Sequence, residues 1–163
     1  MLTGSLLLTT ARERLRGFRQ ALRRWQVPLD PALVREGHFH IDSGFELAYQ
    51  LLRGSDPPTA LFVSNGLMAA GALKAIGALG LRCPQDVALA TFDDPPLNEI
   101  ASPPLTSIAQ PAYMIGYRGS LTLLSRIKSK KPGEPCRIRL RAELNIRQST
   151  VGRTHLSVES RCI

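Results

Sequence analysis

From residue 6 to residue 92 the chain repeats one beat: a short apolar run, then polar and apolar positions at helical spacing. Leu6-Leu7-Leu8 is the first run and predicts a strand. It leads into Thr10-Ala11-Arg12-Glu13, whose Thr and Glu stand three apart as in a capping box, so a helix is expected to start there. Ala11, Leu15, Phe18, Leu22 and Trp25 then recur at steps of four, three, four and three, the stripe of a helix with one buried face, until Pro28 stops it. A second strand is expected near Leu33 to Phe39. After it Asp42 can cap a helix through Arg53, with Phe45, Ala48 and Leu52 inward and Gly54 at its end. Thr59 to Val63 is the third strand. Met68, Ala72, Ala75 and Leu79 mark a helix closed by Gly80, and Val87 to Phe92 is a fourth strand.

Continuously apolar strands separated by amphipathic helices are the pattern of a parallel sheet covered on both faces, so the fold class is α/β, doubly wound. After Asp93-Asp94 the rhythm changes, because Pro95, Pro96, Pro103, Pro104 and Pro111 suit an irregular crossing segment. One more helix is expected from Ala112 to Lys128, with Tyr113, Tyr117, Leu121 and Leu124 on one face, then a turn at Lys130-Lys131-Pro132-Gly133. Arg137, Arg139 and Arg141 alternate with Ile138, Leu140 and Ala142, which predicts a half-buried strand. Residues 151–163 show no pattern.

Composition narrows the classes. The 163 residues, 44% of them hydrophobic and 21% charged, suffice for one globular domain and exclude a coiled coil, a collagen-like repeat or a wholly disordered chain. The long uncharged stretch Pro57 to Leu73 is broken by Asn65-Gly66 and makes a poor membrane span; with no leader of signal-peptide form at the start, the expected location is the cytoplasm. Cys83, Cys136 and Cys162 form no close pair and suggest neither disulfides nor zinc. The net charge of +8 is concentrated in Arg12 to Arg24, with six arginines, and Arg126 to Arg147, with eight basic residues. These stretches can attract nucleic acid, but without interleaved aromatics or a groove-reading motif they read better as solvated faces.

In an open α/β sheet, ligands sit beyond the carboxyl ends of the strands. Three polar residues meet that condition: Arg12 in the first helical turn, Asn65 ending the third strand and Asp93 ending the fourth. A cation in a helix's first turn opposes the macrodipole, which makes Arg12 a functional candidate; its plainer reading is a surface arginine tolerated by the nearby Glu13. A guanidinium fork, a carboxamide and a carboxylate together can pair with the alternating hydroxyls of a sugar, and Phe39, or its neighbour His38 or His40, can supply a flat apolar platform. Each has a plainer reading, as helix cap, turn carboxylate or core aromatic. His38 and His40 lack further metal ligands, and no metal or cofactor is expected. Ser64 stands at a strand end, but Val63-Ser64-Asn65-Gly66 lacks a nucleophile elbow, and no phosphate-binding glycine loop occurs, so an enzyme is not expected.

Taken in order, Thr59 to Leu73, Gly80-Leu81-Arg82-Cys83-Pro84-Gln85-Asp86-Val87, Phe92-Asp93-Asp94, Ser102 to Ile108 and Gln110-Pro111 resemble the effector-binding domain of the LacI/GalR transcription regulators. Thr10 to Arg14 with Gly17-Phe18, and Glu36 to Phe39 with Ser43-Gly44, are similar too. The resemblance implies a periplasmic-binding-protein-like fold of two hinged α/β subdomains with a sugar or nucleobase-like effector between them. It implies that Arg12, Asn65 and Asp93 are polar effector contacts, that Phe39 is the platform and that Gln110 lies at a crossing near the pocket. It further implies a homodimer joined through helices such as Asp42–Arg53 and Gly66–Gly80, with operator DNA contacted only by a separate amino-terminal head. Measured against the family, residues 1–111 are a partial carboxyl subdomain, 112–142 a remnant of the amino subdomain, 143–150 a return to the carboxyl subdomain and 151–163 a tail. Where the family usually has an acid after the strand-end asparagine, this chain has Gly66. The chain reads as the sensing and dimerisation module of a regulator without its head, and half a cleft is expected to bind effector weakly. The alternatives are a transport-type sugar-binding protein of the same fold, a nucleic-acid-binding protein using the basic faces, and a hydrolase using Ser64.

Overall fold

A computed structural model describes residues 1–129 and 134–152; the expected turn at 130–133, most of the tail and Cys162 lie outside the described residues. Six strands form one sheet in the order β2-β1-β3-β4-β5-β6. They are β1 (Leu2–Thr3), β2 (Arg35–Glu36), β3 (Ala60–Val63), β4 (Ala88–Phe92), β5 (Thr106–Ala109) and β6 (Glu143–Asn145). The first five are parallel, and β6 runs antiparallel to β5, pairing Ile108 with Leu144. The helices are α1 (Thr9–Arg24), α2 (Ile41–Leu52), α3 (Gly66–Ala78), the single turn α4 (Leu97–Ile100) and α5 (Ala112–Ser129).

From β1 the chain steps outward to β2 through α1, then reverses across β1 to β3 through α2 and continues to β4 through α3. Right-handed crossovers therefore put α1 on one face and α2 with α3 on the other. The main core lies under α2 and α3, where Leu2, Val63, Met68, Ala72 and Leu89 are wholly buried. Those two helices touch backbone to backbone. A Cβ on Gly44 would stand 2.3 Å from the Met68 carbonyl oxygen, and one on Gly71 would stand 2.0 Å from that of Ile41. Gly80, at φ +67°, ends α3 in the left-handed conformation, and the Leu81 N–H reaches back to the Ile76 carbonyl at 3.0 Å.

Several expectations are corrected. The first strand is Leu2–Thr3, and Leu6 to Leu8 form a turn with Leu7 87% exposed, because the buried slot between β2 and β3 is already filled by Leu2. No capping box forms at α1, whose N-cap is Leu8 with no side-chain bond. The second strand shortens to Arg35–Glu36 behind a 3-10 turn at Pro31–Leu33, and the N-cap of α2 is His40, not Asp42. The proline-rich crossing contains a strand, β5, hidden because its buried Thr106 and Ser107 are polar. Residues 137–142 form no strand, since none of the described strands pairs with them, and Ile138 is 49% exposed.

Candidate functional site

The reversal of chain direction lies between β1 and β3, the switch point where doubly wound sheets open a crevice at the strands' carboxyl ends. Here the Gly4 N–H donates to Ser64 Oγ at 3.1 Å and the Ser64 N–H donates to the Leu2 carbonyl at 2.9 Å. Ser64 is wholly buried, so its hydroxyl is part of this seam. The half-buried Phe39, at φ +60°, places its ring tip where a side chain on residue 4 would be: a Cβ there would meet Phe39 Cζ at 2.1 Å.

Asn65 caps α3 by accepting from the Met68 N–H at 3.1 Å, and its Nδ2 donates to the Phe39 carbonyl at 3.2 Å. The helix-cap reading is thus realised, yet the carboxamide keeps one N–H and one lone pair for a ligand. Asp93 follows β4 at φ +72°, with its side chain 35% exposed and so open to solvent. Its carboxylate accepts from Gln110 Nε2, which brings the crossing residue to the same rim.

The guanidinium that joins them belongs to Arg14. Arg14 NH1 donates to the Ser64 carbonyl at 2.6 Å, NH2 lies 3.6 Å from Asp93 Oδ1, and the head stacks 4.0 Å from the Phe92 ring centroid. Burial pushes its pKa down from the ordinary value, and the charge of Asp93 opposes that shift. Arg12 is turned away: its NH1 donates to the Leu6 and Leu7 carbonyls, both at 2.9 Å, and NH2 to Thr9 Oγ1 at 3.2 Å. It closes its own helix start. Two residues along an α-helix rotate a side chain by about 200°, so Arg12 and Arg14 cannot share a face. The signal for Arg14 was present, since it lies three residues after buried Ala11 and four before Phe18 on the inward stripe.

A continuous chain of contacts therefore runs from Phe39 through Asn65, Ser64 and Arg14 to Asp93 and Gln110. A Cβ on Gly66 would come 2.9 Å from the Pro95 ring, so any larger residue there would have to push that ring aside. His38 and His40 are exposed beside Phe39, and among the described residues no His/Cys/Asp/Glu group has the makings of a metal site. Beside Arg14, on the α1 face, Phe18, Phe62, Phe92 and Ile108 line an apolar groove of about 500 Å³. No helix among the described residues is long and apolar enough to cross a membrane.

Residues 2–150 match the periplasmic binding protein-like domain family. Over 151 residues the chain is 38% identical to the HTH-type transcriptional repressor PurR of Haemophilus influenzae (strain PittEE), covering 91% of this chain and 45% of that protein. It is 40% identical over 137 residues to the HTH-type transcriptional repressor CytR of Escherichia coli (strain K12), covering 84% of this chain and 40% of that one. Among solved structures, a complex of the transcriptional regulator CelR with cellobiose superposes with a TM-score of 0.84 at 36% identity, over 91% of this chain and 45% of that chain. The Lac repressor dimer bound to operator and the anti-inducer ONPF superposes at 0.80 with 33% identity, over 93% and 51%. The chain spans less than half the length of these two curated relatives.

Proposed function

Because the chain belongs to the periplasmic binding protein-like domain family, in the form carried by LacI/GalR-type transcriptional regulators, we propose that it is the effector-sensing and dimerisation part of such a regulator. The effector is a small polyol, a sugar or a ligand bearing one. One observation carries this reading: Arg14, Asn65, Asp93 and Gln110 meet on one rim at the switch point, beside Phe39. Asp93 is an acceptor for hydroxyl protons, Arg14 a donor fork, and Asn65 offers one of each, which matches adjacent hydroxyls that both donate and accept. Phe39 covers an apolar ring face. No bond is made or broken.

Residues 112–142 belong to a second subdomain across the cleft, and 143–150 return to the first. Operator contact is made outside these residues, the protein works in the cytoplasm, and copies pair through α2 and α3. The names of the relatives favour a regulator over a transport protein of the same fold. Ser64 is not read as a nucleophile, because it is wholly buried in the seam and no substrate reaches its hydroxyl.

Titration of the ¹⁵N-labelled chain with millimolar cellobiose and a panel of monosaccharides tests the rim. At least one sugar should shift the amides of Phe39, Asn65 and Asp93. Arg14→Ala and Asp93→Ala should abolish the shifts and Arg12→Ala should leave them. The reverse arginine result, or no sugar acting at these amides, overturns the assignment.

A further inference from the structure

The carboxylate on the rim is held by the residue after it. Asp93 adopts φ +72°, a conformation that L residues keep only where the surroundings over-determine it. Its N–H donates to the Ile108 carbonyl at 3.0 Å, and its carbonyl accepts from Asn98 Nδ2 at 3.1 Å. That same Nδ2 lies 3.2 Å from Asp94 Oδ1, and Asn98 is 1% exposed. Asp94 takes both arms of the Arg147 fork, each at 2.8 Å, and Asn145 Nδ2 at 2.7 Å. Arg147 NH1 also donates to the Leu105 carbonyl at 2.8 Å and to Ser107 Oγ at 2.9 Å, while NH2 lies 3.4 Å from Glu99 Oε1. The side chains of Asp94 and Arg147 are only 10% and 16% exposed.

Asn145 and Arg147 come from the end of β6 and just beyond it, 51 and 53 residues after Asp94. One carboxylate thus joins the turn that carries Asp93 to the segment in which the chain comes back to the sheet. We propose that Asp94, gripped by Arg147 and Asn145, is a positioning residue for Asp93, so that occupancy of the rim and seating of the returning segment are coupled. Its meaning for sensing rests on the effector-rim reading; the geometry does not. If the return moves, Asp94 loses its fork, Asn98 loses one of its two anchors, and Asp93 is free to leave Arg14 and Gln110. A fork is required because a lysine cannot grip both carboxylate oxygens in a fixed plane.

The test is ligand-free ¹H–¹⁵N spectroscopy of the full chain, reading the Gln110 side-chain amide, the Arg14 Nε–H and the Asp93 amide. Arg147→Lys, Asp94→Asn and Asn145→Ala should move all three signals toward values typical of free side chains and a relaxed turn. Leu144→Ala is the control: it trims a side chain that is 59% exposed on β6, so the returning segment stays seated and Asp94 keeps its partners, and it should leave the three signals in place. Should Asp94→Asn or Arg147→Lys fail to fold, Asn145→Ala, which removes one bond to Asp94, still gives the answer. Folded variants with all three signals at their wild-type positions overturn the proposal, as would an equal movement in Leu144→Ala. Failure of the wild-type chain to bind any sugar would count against the rim and leave this result standing.

Discussion

Arg147 holds the Asp94 carboxyl well below the usual carboxylate range, with Ser107, Asn145 and Asn98 adding to the effect. The unfolded chain takes up that proton near the ordinary 3.8, whereas the folded chain resists it until lower pH. Below 3.8 the unfolded state therefore binds more protons, and stability falls as pH falls. Urea unfolding from neutral pH to below this value should show Asp94→Asn less stable at neutral pH by about 1.5–3 kcal/mol, the worth of a hydrogen bond to a charged, half-buried group, with a flatter acid decline. An unchanged acid slope would place the titration elsewhere. At the same scale, burial pushes the Cys83 thiol up to about 11, so it is a poor thiolate at neutral pH. Asn65 and Asp93 were legible in the sequence because a strand's end follows from its apolar run. Arg14 was missed because the choice between two arginines two apart depends on what each reaches.

Between elements, the tightest joint is α2 against α3, where glycines 44 and 71 let backbones touch. A methyl at position 71 clashes with both the Ile41 carbonyl and the Phe45 N–H, the latter 2.6 Å from the Cβ position, and neither is a flexible side chain. Gly71→Ala should cost about 1–3 kcal/mol or more by overpacking, although alanine favours helix, whereas Gly77→Ala, with nothing within 4 Å, should gain up to about 1 kcal/mol. Thermal melts of the two variants decide it, and equal melting temperatures would refute the close approach. The helical stripes at Phe45, Ala48 and Leu52 and at Met68, Ala72 and Ala75 were readable from spacing alone. β5 was not, because its buried Thr106 and Ser107 carry hydroxyls that bond Thr150 and Arg147 instead of apolar surface that a periodicity would reveal.

Taken whole, the described molecule buries apolar surface chiefly under α2 and α3, while α5 buries no residue and exposes Tyr113, Ile115, Tyr117 and Leu124. Substitutions on that helix should accordingly cost little: Leu124→Ala is expected to change unfolding free energy by no more than about 0.5 kcal/mol, against about 2–5 kcal/mol for Leu89→Ala in the core. Equal losses in chemical denaturation would show that α5 is packed in solution. The sequence by itself determined the α/β rhythm, the residues at the ends of β3 and β4, and the family, because apolar period and strand-end position are local properties of a short window. Only the tertiary structure decided which run became β1, that residues 137–142 stayed unpaired, that Arg14 rather than Arg12 reached the rim, and that Asp94 is bound to Arg147. Each of those depends on a partner dozens of residues away, and a pairing at such distance leaves no periodic trace in either segment.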